Sequence, residues 1–243
     1  RNLAAKNYDL VLFDRDQPNL ELAQAELEKL GAKVQIHNLD LSKSHALEGQ
    51  LETIINQLEI DALVNNAGVG FARTVEQTTL DEWELTFSVN VDGTQNLLEA
   101  ISKHAPESLF INASSTEIYD ASSGVITEQS LLAPRSPYAE SKALAYQAVI
   151  DSRLNGLRTT NAVLSNHESY LRSTDFVTGK IANGVAQIKL GLQDSLPLGN
   201  LDVEKDWSSA NDIVNGLIAI AEKSFVGDVI LASGRSTSLI EIL

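Results

Sequence analysis

Tyr138 and Lys142 stand four residues apart in SPYAESKALAY, a stretch of good helix formers, so both side chains project from one helix face. A phenol with an ordinary pKa of about 10 is a poor proton carrier at neutral pH, and a neighbouring ammonium favours the phenolate and lowers that value. Lys142 is placed to supply that charge, which makes the pair a candidate acid–base unit. Alone, the pair reads more simply as a tyrosine at a helix start and a solvated lysine. Two other stretches reverse that preference: the strand SLFINASSTEIY upstream, which ends on Ser115, and the small-residue turn NNAG at 65–68. If that strand stays extended, Ser115 and Glu117 face the same side and bring a hydroxyl and a carboxylate to one place.

The elements that must position these groups alternate along the chain. YDLVLFDRD reads as a buried strand ending in acids, and PNLELAQAELEKLGA as an amphipathic helix with Pro18 in its first turn and Gly31 as its stop. KVQIHNLDLS is a second strand, 44–58 a second helix, and IDALVNNAGVG a third strand running into a loop. LDEWELTFSVNVDGTQNLLEAISKHA is a long helix carrying Asn90, followed by the serine strand, the Tyr138 helix and the strand RTTNAVLSN. Strict alternation implies an α/β fold, a doubly wound parallel sheet with helices on both faces. From about residue 166 the pattern loosens, with a loop and a helix in NHESYLRSTDFVTGKIANGVAQIKLGL and an irregular DSLPLGNLDVEKDW; helix 208–223 and the strand GDVILAS close the chain. The expected division is 1–165 as the doubly wound domain and 166–243 as a smaller substrate-binding region, with helix 208–223 packing back on the first.

The chain has 243 residues, 43% of them hydrophobic and 21% charged, enough for a full core and no signature of disorder. A formal charge of −15 argues against a nucleic-acid surface, which needs a basic stripe. The absence of cysteine excludes disulfides and thiolate metal sites. His37, His45, His104 and His167 are scattered without ligand spacing, so no metal centre is expected. No apolar run approaches the roughly 20 residues of a membrane span, and RNLAAKNYDL lacks the apolar core of a signal peptide, so the expectation is a soluble, cytoplasmic protein off the membrane.

NNAG at 65–68, Asn90 in a helix, Ser115 at a strand end, and Tyr138 with Lys142 occur in the order and on the elements of the short-chain dehydrogenase/reductase family, which the chain resembles. The resemblance implies a Rossmann-like fold and NAD or NADP as cofactor. It assigns proton exchange to Tyr138, the nicotinamide ribose to Lys142, the substrate oxygen to Ser115 and support of a water relay to Asn90. ASSTEIY, PRSPYAESK, NHES, FVTGKIANGVAQIKLGL, LGNLD, KDW and DVILASGRSTS further resemble the GDP-mannose 4,6-dehydratases of the extended branch, from about residue 110 onward. That likeness makes Glu117 the base that removes the sugar C5 proton after C4 is oxidised. It points to Asn166, Lys180 and Lys205 for the nucleotide diphosphate of a nucleotide-sugar substrate. Lys205 stands where the branch commonly has arginine, which keeps the charge and loses the bidentate geometry.

The family's first strand and glycine turn have no counterpart here, since the fourteen glycines contain no GxGxxG and no GxxxGxG. RNLAAKNYDLVLFDRD looks like the end of the first helix followed by the second strand. In the usual strand order this leaves two central strands with unpaired backbone groups and an empty core layer. With no methionine even at position 1, the favoured expectation is a longer natural protein. The alternatives are a permuted first unit supplied by GDVILASGRSTSLIEIL, or an engineered or degenerate member that binds no cofactor. The other cofactor contacts implied by resemblance are present: Asp14 for the adenosine ribose, Arg15 for a 2′-phosphate, Asp40 for adenine, and Asn66, Ala67 and Gly68 in the turn after the third strand.

NNAGVG and LDEWELTFSVNVDGT resemble single-domain reductases more than dehydratases. Three readings follow: an NAD(P)-dependent nucleotide-sugar dehydratase or epimerase, a carbonyl or alcohol oxidoreductase, and a cofactor-less scaffold. The helices of Asn90 and Tyr138 commonly build a dimer interface in the family, so the resemblance implies a homodimer under all three.

Overall fold

The computed structural model describes residues 1–71, 74–120, 122 and 124–243, with residues 44–46 described by their backbone alone. The chain divides into two compact units, Arg1–Val163 with Leu217–Val229, and Leu164–Gly216 with Ile230–Leu243.

The first unit opens with a short helix α1 (Asn2–Ala5), followed by β1 (Leu10–Asp14), α2 (Gln17–Glu28), β2 (Val34–Asn38), α3 (Ser44–Ile55) and β3 (Ala62–Asn65). Helix α2 starts where the Asp16 carboxylate accepts the Asn19 N–H and Pro18 occupies the first turn, which needs no N–H from it. It stops at Gly31, whose φ of 92° suits a residue without Cβ. Helix α4 (Leu80–Phe87) begins on a capping box, Thr79 and Glu82 each bonding the other's backbone N–H. It runs through a π-helical turn, Ser88–Asp92, into α5 (Gly93–His104). Strand β4 (Leu109–Ser115), helix α6 (Pro137–Leu154) and strand β5 (Thr159–Leu164) complete the pattern.

The core is built where apolar periodicity demands it. Leu47, Leu51 and Ile55 of α3 pack with Leu97, Leu98 and Ile101 of α5, Phe110 of β4 and Val149 of α6. Each of these is nearly inaccessible to solvent.

The sheet is interrupted. Strands β1 and β2 form a parallel pair, while β3 and β4, also parallel, belong to a second sheet of order β3-β4-β5-β8, where β8 is Gly227–Leu231. A cavity of about 670 Å³ is lined by β1 and β3 together, with Val11 and Phe13 on one side and Leu63 and Val64 on the other. A continuous apolar run is the mark of a strand covered on both faces. Strand β4 is covered on both faces, buried from Leu109 through Ser114, with Asn112 and Ser114 as buried polar residues within it. The apolar Leu10–Phe13 of β1 is only half-buried, and Val64 of β3 is 42% exposed, where Val11, Leu12, Phe13 and Val64 line the cavity. The permuted arrangement is corrected here: β8 lies beside β5, at the opposite end of its sheet from β3, and fills no place beside β1.

The second unit contains a three-stranded sheet of order β6-β7-β9, from β6 (Asn166–Glu168), β7 (Glu204–Ser209) and β9 (Ser236–Ser238). Its helices are α7 (Val177–Lys189) and α9 (Leu239–Ile242), and α8 (Ala210–Glu222) has its first residues in this unit and its last in the first. The stretch 194–207, expected to be irregular, therefore ends in a strand that includes KDW. EKDWSS offers no apolar alternation, and it is held by parallel pairing to β6 and antiparallel pairing to β9.

Candidate active site

Strand β4 ends at Ser115 because its hydroxyl accepts the Glu117 N–H at 3.3 Å and caps a 3-10 turn, Thr116–Ile118. The strand does not stay extended through Glu117, which corrects the expectation that the strand period alone pairs it with Ser115. The turn brings the two functions together instead. Ser115 and Glu117 both lie near enough to the Tyr138 phenol to act on its pKa, Ser115 lowering it and the Glu117 charge raising it.

Helix α6 is started by Ser136, whose hydroxyl accepts the Ala139 N–H at 3.1 Å, with Pro137 in its first turn. Tyr138 therefore sits at the helix entrance, and Lys142 one turn further in, where it is 5% exposed. The Lys142 ammonium donates to the Ala113 carbonyl at 3.0 Å, and burial pushes its pKa down to about 8. Burial also raises the Tyr138 phenol above its usual value; the nearby Ser115 hydroxyl opposes that rise and the Glu117 carboxylate adds to it. The expected lowering of the phenol by Lys142 is thus corrected: the ammonium is committed to a backbone carbonyl, and desolvation dominates the tyrosine.

Asn90 is 1% exposed and lies in the π-helical turn, an irregularity frequent at functional sites. Its amide accepts the Val69 N–H and donates to the Val69 carbonyl, both at 2.8 Å, and it also donates to the Ser141 hydroxyl at 2.9 Å. Ser141 in turn donates to the Tyr138 carbonyl at 2.8 Å. Asn65, next along the turn, donates to Thr94 at 2.9 Å, and Thr94 to the Asn90 carbonyl. Ser141 and Thr94 were not singled out in the sequence, though Asn65 belongs to the NNAG turn; small polar residues one turn from Tyr138 and Asn90 were the available signal.

Asp14, Arg15, Asp40, Asn66, Ala67 and Gly68 all line the cavity between β1 and β3. Asp14 and Arg15 are exposed at the end of β1, where the Asn38 side chain donates to their carbonyls at 3.3 and 2.9 Å. Partial burial works against the Asp40 charge, yet the Ser42 hydroxyl and N–H, with Lys43 and Arg15 nearby, hold its carboxyl below the usual range. The cavity thus has apolar strand walls and a polar end with two carboxylates and a guanidinium. A volume of about 670 Å³ falls in the range of small-molecule sites. The carboxylates suit ribose hydroxyls and the guanidinium suits a 2′-phosphate, so the residues fit the adenosine end of NAD or NADP.

In the second unit, Asn166 stands opposite Trp207 in the β6–β7 register, and Lys205 lies two residues before Trp207, so the strand period puts Asn166 and Lys205 on one face. Lys180 is exposed on α7. The Arg172 guanidinium stacks 3.7 Å over the Phe176 ring and pairs with Glu168 at 3.0 Å. Among the described residues no three of His, Cys, Asp and Glu gather as metal ligands, and no helix is long and apolar enough to cross a membrane. The side chain of His45 lies outside the described residues.

A model of the GDP-mannose 4,6 dehydratase family matches residues 1–243. The chain belongs to that family. It is 36% identical over 190 residues to the GDP-mannose 4,6-dehydratase of Sinorhizobium fredii, covering 76% of this chain and 53% of that protein. It is 31% identical over 224 residues to the GDP-mannose 4,6 dehydratase of Homo sapiens, covering 90% and 57%. The chain therefore spans about half the length of the curated relatives it matches. Among solved structures it is similar to RMD from Pseudomonas aeruginosa complexed with NADPH, with a TM-score of 0.76 at 23% identity over 97% of this chain and 81% of that one. It is also similar to UDP-glucuronic acid 4-epimerase from Bacillus cereus in complex with UDP-glucuronic acid and NAD, with a TM-score of 0.79 at 20% identity over 99% and 75%. At these identities the structural matches establish the Rossmann-like fold, and the family membership rests on the sequence match.

Proposed function

We propose that the protein acts as an NAD(P)-dependent nucleotide-sugar 4,6-dehydratase, a lyase of the GDP-mannose type, in preference to an epimerase or a simple oxidoreductase. The observation that supports this reading is that the Glu117 N–H is bonded to the Ser115 hydroxyl at the strand end and that both residues act on the Tyr138 phenol. An oxidoreductase needs the hydroxyl and the phenol; the carboxylate has work to do only if a carbon acid must also be deprotonated.

Asp14 or Arg15, with Asp40, would hold the adenosine end of NAD or NADP, Asn66, Ala67 and Gly68 would border it, and Lys142 would hold the nicotinamide ribose. When bound, that cofactor would supply the chemistry of reversible hydride transfer. Ser115 positions the C4 oxygen and Tyr138 accepts its proton. Glu117 would then remove the C5 proton and pass it to the departing C6 hydroxyl, which leaves as water, and the proton taken up by Tyr138 would be the one returned at C5. Asn90 fixes the turn beside the reacting groups, and Asn166, Lys180 and Lys205 bind the diphosphate. The assembly is a homodimer in the cytoplasm, with a nucleotide sugar rather than nucleic acid or membrane as its partner.

The test is incubation with GDP-mannose and catalytic NAD or NADP, followed by analysis for a 4-keto-6-deoxy sugar. Glu117→Gln is expected to lower product formation by about 10²-fold or more, the usual scale for a positioned acid or base. Undiminished turnover in that variant would remove the dehydratase reading. Net consumption of added cofactor would instead favour the oxidoreductase.

A further inference from the structure

We propose that the segment Gly68–Val69–Gly70 is a positioning element whose two glycines set where Lys142 and Tyr138 stand, an inference that rests on the acid–base reading of that pair. A Cβ placed on Gly70 would lie 2.6 Å from Tyr138 Cδ2 and 3.1 Å from its Cγ. One placed on Gly68 would lie 3.2 Å from the Lys142 Nζ and 3.5 Å from the Asn90 Oδ1. Neither glycine has a φ in the left-handed region. What each position excludes is therefore volume, and the volume it excludes belongs to the two side chains that do the chemistry.

The residue between them explains why the segment cannot simply yield. Both backbone polar groups of Val69 are held by the buried Asn90 amide, which is tied through Ser141 to the Tyr138 carbonyl. Loop, π-helical turn and α6 entrance thus form one closed set of contacts, with the phenol ring resting on Gly70. The contact at Gly70 involves ring atoms near the tyrosine stem, so a methyl there must rotate the ring or move the helix start. At Gly68 the neighbour is the tip of a long lysine, which gives way more easily. Gly70 is accordingly the stricter of the two, and it acts through Tyr138 rather than on substrate.

The decisive comparison is Gly70→Ala in two backgrounds, wild type and Tyr138→Ala, with thermal unfolding and spectrophotometric titration of the Tyr138 phenol, assigned by difference from Tyr138→Phe. The expected result is a phenol midpoint that falls toward its ordinary value of about 10 as the ring is displaced into solvent, together with a loss of melting temperature that largely disappears when Tyr138 is already alanine. If Gly70→Ala alone does not fold, recovery of folding in the Tyr138→Ala background supports the proposal and continued failure overturns it. An unchanged midpoint in a folded Gly70→Ala protein, or the same melting loss in both backgrounds, also overturns it. These readouts need no turnover, so an inactive wild type would count against the dehydratase reading and leave the positioning claim to be decided separately.

Discussion

Lys142 carries a cost that its position makes unavoidable. It is 5% exposed, bonded to a single carbonyl, and burial lowers its pKa to about 8 from an ordinary 10.5. Below pH 8 the amine is charged in both the folded and unfolded chain and the full desolvation penalty is present. As pH rises from about 8 to 10.5 the folded amine loses its proton first, so stability rises through that window relative to a neutral substitute. Lys142→Met is expected to stabilise the protein at pH 7 by up to roughly 3 kcal/mol, less the lost bond to Ala113. Unfolding of variant and wild type at pH 7 and pH 10 checks this, and a gain that does not shrink at pH 10 would show that burial of charge is not the cause. The same substitution should end turnover, which is the trade between stability and function expected at a working site.

Between elements, α6, β5 and β8 meet at a buried polar junction. Asp228 accepts from Arg153 at 2.7 Å, from Tyr146 at 2.9 Å and from Asn161 at 3.1 Å, and Asn161 accepts from Asn112 of β4 at 3.0 Å. Burial alone would raise the Asp228 carboxyl; Arg153, Asn161 and Tyr146 together outweigh it and hold the pKa below the usual value. Burial and the Asp228 charge drive the Tyr146 phenol far above its own. The Asp228 contribution is therefore present above the ordinary carboxylate range and is lost as pH falls through the depressed folded value. Asp228→Asn is expected to cost about 2–4 kcal/mol at pH 7, the scale for removing one partner of a partly buried, hydrogen-bonded ion pair. The deficit should narrow toward acid pH. Chemical denaturation at pH 7 and pH 3 measures both, and an equal deficit at the two values would detach the junction from the titration of Asp228.

At the scale of the whole molecule, the cavity between β1 and β3 decides which backbone groups are protected. The Leu10 N–H bonds to Lys33 and the Asp14 carbonyl accepts from Leu39, so the alternate residues of β1 face β2, and Val11 and Phe13 face the cavity. Their amides are expected to exchange with solvent orders of magnitude faster than that of Leu12 next to them, and faster than those of the buried strand β4. Hydrogen exchange resolved by residue tests this. Protection of Val11 and Phe13 equal to that of Leu12 would mean that the β1 edge is covered.

The element pattern was legible because it is local: Asp16 and Pro18 start α2, Gly31 ends it, and the Thr79–Glu82 box starts α4. Sequence spacing likewise put Tyr138 and Lys142 on one helix face, and residue types in order supplied the family. Strand β7 was not legible, since nothing in EKDWSS alternates and only pairing to β6 and β9 makes it a strand. The 3-10 turn at Glu117, the bond of Lys142 to Ala113, the hold of Asn90 on Val69 and the contact of Gly70 with the Tyr138 ring all join residues by side-chain reach across a fold. Periodicity and propensity are properties of neighbours in the chain, so they were available from the letters alone. Desolvation and steric exclusion depend on what lies across the core, so the charge state of Lys142 and the seat of Tyr138 were decided only when β3, β4, α5 and α6 came together.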